Sequence, residues 1–158
     1  MPVSPAHQRH PLSRAAASIL LLAAANCAQP PTTASVAIPP VPPQQGRVWF
    51  YREVDTADEN STTPYVRLNG AIAGVPEQGG AFYRDVPPGG YQITVDSEGM
   101  SPSPSREVAL VAGQQIYAKI GLGGSWNGQG FTIAVEPSEV GHAAIEHSKF
   151  YGANPAGP

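Results

Sequence analysis

Arg47-Val48-Trp49-Phe50-Tyr51-Arg52 is the stretch that decides how this chain is read. β-Branched and aromatic residues in unbroken succession suit a pleated strand, and the two-residue alternation sends Val48 and Phe50 to one side and Trp49 and Tyr51 to the other. A strand over 47–53 is therefore expected. The same period of two recurs downstream in short runs separated by Pro, Gly, Asn and Asp, the pattern of half-buried antiparallel strands.

Residues 65–69 place Val66 and Leu68 inward, and Asn69-Gly70 is a tight-turn signal because both residues tolerate positive φ. Residues 71–75 return as the hairpin partner. After a strand over 81–86, Pro87-Pro88-Gly89-Gly90 reverses the chain, since proline lacks the amide donor and glycine opens positive φ. Tyr91, Ile93 and Val95 alternate inward on the next strand, and Val108 and Leu110 on the one after it. Ala112-Gly113 then turns the chain into 115–122, where Ile116, Ala118 and Ile120 share a face. A Gly-rich loop over 121–130 leads to a last strand carrying Phe131, Ile133 and Val135 in alternation. The expected fold is all-β, an antiparallel sandwich of seven or eight strands over 46–151 with a short C-terminal helix, followed by a disordered tail over 152–158. A little over a hundred residues suffice for one core without disulfides.

Helical chemistry begins after Pro137. Ser138 is a candidate N-cap, and Glu139 lies in the first turn, where the helix dipole favours an anion. Val140, Ala143, Ala144, His147 and Tyr151 fall on one side at helical spacing, so the helix is expected to pack on a sheet or cover its edge.

Working toward the N terminus, residues 28–45 carry Pro30, Pro31, Pro39, Pro40, Pro42 and Pro43 with almost no charge and no aromatic residue. This reads as a linker over 27–45 that neither forms a helix nor joins a sheet, reaching roughly 50 Å at ~3.1 Å per residue. A disordered tail is the alternative. Before it stand a basic start with Arg9 and Arg14, an apolar run over 15–25, and Cys27, the chain's one cysteine. Residues 1–26 read as a signal peptide, because the run is far shorter than the roughly 20 residues that span a bilayer. Ala24, Ala25 and Asn26 before Cys27 resemble the small-residue lipobox of bacterial lipoproteins, departing from it at Asn26. Cleavage there leaves Cys27 for lipid attachment, a use that suits a lone cysteine in an exported chain. Ordinary cleavage after Ala25, with Ala23 and Ala25 as the small-x-small pair, remains the other reading. Lipidation makes the membrane a partner through Cys27, at the outer membrane or facing the periplasm; ordinary cleavage gives a soluble periplasmic or secreted protein. Processing at Cys27 leaves seven basic residues against twelve acidic ones, a mature net charge of about −5. That excludes a nucleic-acid partner, which needs clustered Lys and Arg facing phosphate.

The order of Arg47-Val48-Trp49-Phe50-Tyr51-Arg52, Leu68-Asn69-Gly70, Asp85-Val86-Pro87-Pro88-Gly89-Gly90-Tyr91, Ala112-Gly113-Gln114 before Tyr117, and a terminal short helix resembles the bacterial family catalogued as domain of unknown function 2846. The resemblance covers residue 46 to about 150. It implies a small exported lipoprotein with an immunoglobulin-like or transthyretin-like sandwich, and it brings no activity and no catalytic residues.

Chemistry is sparse. Asp55, Asp58 and Glu59 with Thr56 and Asn60 offer oxygens for a hard cation, without the order of an EF-hand, and read as a solvated acidic loop. Glu139, His142 and Glu146 share helical spacing suited to Zn²⁺, but His147 lies on another side and no second imidazole is well placed. His147 itself, inside the apolar stripe, reads as a hydrogen-bonded packing residue. The Gly-rich segment 121–130 leads into a strand and holds no lysine, so it is not a phosphate loop. No Gly-x-Ser-x-Gly elbow occurs. The expectation is a non-catalytic envelope module without a cofactor, whose partner is another envelope protein. The alternative is a glycan- or peptide-binding domain in which Trp126, flanked by Asn127 and Gln129 and aided by Tyr117, supplies the contact. A metal-dependent hydrolase is the third reading.

Overall fold

A computed structural model describes Met1 and residues 29–55, 63–97, 103–125 and 128–153, with backbone alone at 124, 125, 128 and 129. Two sheets face each other. The first contains β1 (Gly46–Arg52), β4 (Gly80–Val86), β7 (Gln115–Ser125), β8 (Gly128–Glu136) and β9 (Lys149–Phe150), in the order β8-β7-β1-β4-β9. The second contains β2 (Val66–Leu68), β3 (Ala71–Gly74), β5 (Gly89–Val95) and β6 (Ser105–Leu110), in the order β3-β2-β5-β6. One helix, α1 (Ser138–Glu146), follows β8. The chain is thus a two-sheet, sandwich-like β-protein with one short helix.

β1 is the centre of this arrangement. All seven of its residues are buried, because it lies between two strands and is covered on both faces. Val48 and Phe50 enter the core between the sheets with Phe82, Ile116, Ala118, Ile120 and Ile133, opposite Val66, Leu68, Ile93, Val95 and Leu110 of the second sheet. Trp49 and Tyr51 face the other way, into a second cluster with Ala81, Tyr83, Tyr117 and Ile145. The Asn69-Gly70 turn is present, with φ of 50° and 83° at the two residues, and it joins β2 to β3.

Several expectations need correction. Nine strands are present among the described residues, and the pairing is mixed: β1 pairs with β7, and β4 with β9, in parallel. The chain does reverse at Pro87-Pro88 and over 111–114, and each reversal carries it between sheets, because β4 and β7 belong to one sheet and β5 and β6 to the other. Turn chemistry specifies that the chain bends, and only the destination of the next strand decides whether it pairs back. Gly89 and Gly90 already belong to β5, opposite Leu110 and Ala109. The Gly-rich segment is not a loop either. β7 runs through Ser125 and pairs with β8 from Gly123↔Gly130 to Ser125↔Gly128, since cross-strand backbone bonds need no side chains. Val135 is 43 % exposed rather than buried, as β8 is an edge strand.

The helix buries a different stripe from the one expected. Gly141, Ala144, Ile145 and Ser148 face the sheet, whereas Val140, Ala143 and His147 are exposed and Tyr151 lies beyond the helix. Gly141 is the cause: it sits directly on the Tyr117 ring, where any Cβ would collide with the ring carbons. Pro137 occupies the N-cap position, its carbonyl accepts from the Gly141 amide at 2.9 Å, and Ser138 makes no capping bond.

Residues 29–45 do not behave as a spacer. They form a strap across the outer face of the first sheet, with a 3₁₀ turn at Thr33–Ser35 and a bridge between Thr32 and Lys149. Proline lacks an amide donor but keeps its carbonyl, and the strap is held through that acceptor. The Pro31 carbonyl accepts from the Phe150 amide at 2.7 Å, and the Pro39 carbonyl from Arg47 Nη1 at 2.9 Å. Thr33 is fixed twice to the Ser148 carbonyl, through its amide at 2.8 Å and its hydroxyl at 3.1 Å.

Candidate functional site

Where the strap leaves the sheet and α1 has not yet covered it, a cleft of about 390 Å³ opens over β1 and β7. Val36, Ile38, Trp49 and Ile145 give it apolar walls, Gln115 and Arg47 line its interior, and His142 and Glu146 of α1 contribute polar groups. Sequence alternation explains the contributors. Trp49 is an odd-numbered residue of β1 and so faces away from the inter-sheet core, as does Tyr117 of the parallel neighbour, its register partner.

Arg47 anchors this face. It is 2 % exposed, and its Nε and Nη2 donate to the two Asp85 carboxylate oxygens at 2.7 and 2.8 Å. The two residues are direct cross-strand partners on β1 and β4. The guanidinium also lies 3.8 Å from the Tyr83 ring centroid, a cation–π contact, while Nη1 holds the Pro39 carbonyl. Burial of such a charge is tolerated only because the fork is bidentate and the remaining contacts replace water. Beside it, Trp49 Nε1 donates to Gln115 Oε1 at 2.9 Å, and the Trp49 and Tyr83 rings lie 4.8 Å apart.

The phenols of this face are held neutral. Burial raises the Tyr117 pKa, partly opposed by the positive charge of Arg47. Burial also raises Tyr83, with Arg47 lowering it and Asp85 raising it. Tyr51 is pushed up to about 12 by burial, with Glu136 and Glu53 adding to the shift, and its buried hydroxyl has no hydrogen-bond partner among the described residues. The cleft therefore offers apolar walls, an amide and an imidazole, with its buried cation already paired. It can hold a small apolar or amphipathic group.

The residues expected to form a glycan site are not brought together among the described residues. Cys27, Trp126 and Asn127 lie outside the described residues, as does the Gln129 side chain; the Gln129 backbone pairs with Gly124. Tyr117 is 4 % exposed beneath α1. Ser125, the last residue of β7, is eight residues further on, roughly 26 Å at ~3.3 Å per residue. Of the acidic loop, residues 56–60 lie outside the described residues. Glu139 and His142 are exposed, and among the described residues no three His, Cys, Asp or Glu side chains gather as a metal set. The Arg47–Asp85 pair was missed by sequence reasoning. Its one signal was an arginine near the start of one apolar strand and an aspartate near the end of another, β4, which acquires meaning only with the register.

No family model, no curated protein and no solved structure matches this chain.

Proposed function

We propose that the chain is a bacterial cell-envelope lipoprotein, exported, anchored through lipid on Cys27, and acting by binding rather than by catalysis. The observation that carries this is the arrangement at its start: basic residues, a short apolar run, small residues, then the one cysteine two positions before the described body begins at Gln29. The order of strand and turn motifs resembling the domain of unknown function 2846 family supports the same reading, and with it an immunoglobulin-like or transthyretin-like form of the sandwich. No helix among the described residues is long and apolar enough to cross a membrane. A binding role is supported by the cleft of about 390 Å³, whose floor is held by two pairs, Arg47 with Asp85 and Trp49 with Gln115.

Intact mass and membrane fractionation of the wild type and Cys27→Ala test the anchor. Acylated protein beginning at Cys27, with the variant shifting to an unprocessed or soluble form, is expected. A soluble product beginning at Asn26 and indifferent to the substitution would end the reading. A photo-crosslinking residue at His142, on the helix side of the cleft, is expected to capture one reproducible envelope component; adducts that vary between preparations would count against the cleft as the contact surface.

A further inference from the structure

The strap changes what an anchor at Cys27 would do. We infer that the anchored protein rests against the bilayer on its β9 side, where the strap flanks β9, the lipid headgroup region being the partner of a surface formed by Val54, Lys149 and Tyr151. This rests on the tethering proposed above. As a free spacer, residues 28–45 would hold the sandwich up to roughly 50 Å from the membrane. As a docked strap they cannot. Pro31 is bonded to the Phe150 amide, Thr32 is bridged to Lys149, and Thr33 is bonded twice to the Ser148 carbonyl. Pro31 lies only four positions beyond Cys27, a reach of roughly 14 Å at the ~3.3–3.6 Å per residue of an extended chain.

The surface on that side sets apolar and cationic groups beside the acidic Glu53 and Asp55 that flank Val54. Tyr151 is 42 % exposed, with its ring lying over Gly80, and Val54 is 74 % exposed against Gly79. The Gly79 carbonyl accepts from the Lys149 amide at 2.8 Å and the Ala81 carbonyl from the Tyr151 amide at 2.9 Å, so Lys149 and Tyr151 flank Phe150 along β9, with Val54 beside Gly79. A phenol and a lysine each combine an apolar body with a polar tip, the form that sits at headgroup level. The opposite edge of the same sheet, β8, is four strand spacings away, roughly 19 Å at ~4.8 Å each.

Because Cys27 is the chain's one cysteine and acylation occupies it, an introduced cysteine is a unique thiol in the mature protein. The full-length acylated protein, carrying a fluorophore at Val54→Cys or Tyr151→Cys on β9's side or at Ala134→Cys on β8, is placed in phosphatidylethanolamine–phosphatidylglycerol vesicles with headgroup spin-labelled lipid. Severalfold stronger quenching at positions 54 and 151 than at 134 is expected. Inserting about ten Gly and Ser residues between Ala28 and Gln29 should bring that quenching down to the level at 134. Equal quenching at all three positions in protein whose mass shows acylation would overturn the orientation and leave the anchor standing. Protein that is not acylated at Cys27 would overturn both.

Discussion

The two faces of the five-stranded sheet are buried by different means. The inner face meets another sheet, and its apolar cluster is made of Val, Leu, Ile, Ala and Phe, with Arg52 buried at its margin over the Phe131 ring. The outer face meets a short helix and an irregular strap, and its cluster is aromatic: Trp49, Tyr51, Tyr83 and Tyr117, with Phe150 packed against them. Arg47, Asp85 and Gln115 thread polar contacts through that face. The difference follows from what does the covering. A sheet satisfies its own backbone groups and presents only side chains, so an aliphatic core fills the gap. A proline-rich strap brings carbonyls with no strand partner, and the sheet beneath must supply donors to receive them.

The comparison can be pressed hardest at Phe50, which is fully buried and stacked on Phe82 with centroids 5.1 Å apart. Phe50→Ala should cost about 3–5 kcal/mol through lost transfer energy and the cavity left behind, read as the shift in urea unfolding. On the outer face, Asp85→Ala strands the Arg47 charge and should cost about 3 kcal/mol, whereas Arg47→Met combined with Asp85→Leu should recover most of that loss. A double variant no more stable than Asp85→Ala would mean that the pair positions the strap instead of merely compensating its own burial. The smallest effect belongs to Tyr51. Tyr51→Phe removes a buried hydroxyl without a partner among the described residues and should stabilise the protein by about 1 kcal/mol at neutral pH.

The same residue makes the outer face sensitive to alkali. Its phenol is pushed up to about 12, above the ordinary value of 10.0, so the unfolded chain gives up this proton first. The contribution is whole below about pH 10 and is lost as the pH rises from there through about 12. Tyr51→Phe should flatten the fall in stability across that window, measured by urea midpoints at successive pH values; an unchanged slope would place the alkaline lability in the other buried phenols.

How much was legible in the sequence depended on how local the signal was. Alternation assigned Val48 and Phe50 to one core and Trp49 and Tyr51 to the other, and Asn69-Gly70 specified its turn, because each follows from backbone geometry within a few residues. The helix stripe was misread because hydrophobicity selects Val140 and Ala143, while the contact is made by Gly141, whose value is the absence of a side chain. The strap was misread because proline was weighed for the donor it lacks and not for the acceptor it keeps. The cleft was invisible for both reasons together, since it is the space between those two elements.

Periodicity and turn chemistry, which need no distant partner, were enough for the β character, most strand positions and the facing of residues on six of the nine strands described. Only the tertiary structure decided which sheet each strand joins, the parallel pairing of β1 with β7, the burial of Arg47 against Asp85 and the docking of residues 29–45. Those features depend on contacts between residues far apart in the chain, and no local pattern encodes which of several compatible partners a strand, a charge or a carbonyl will meet.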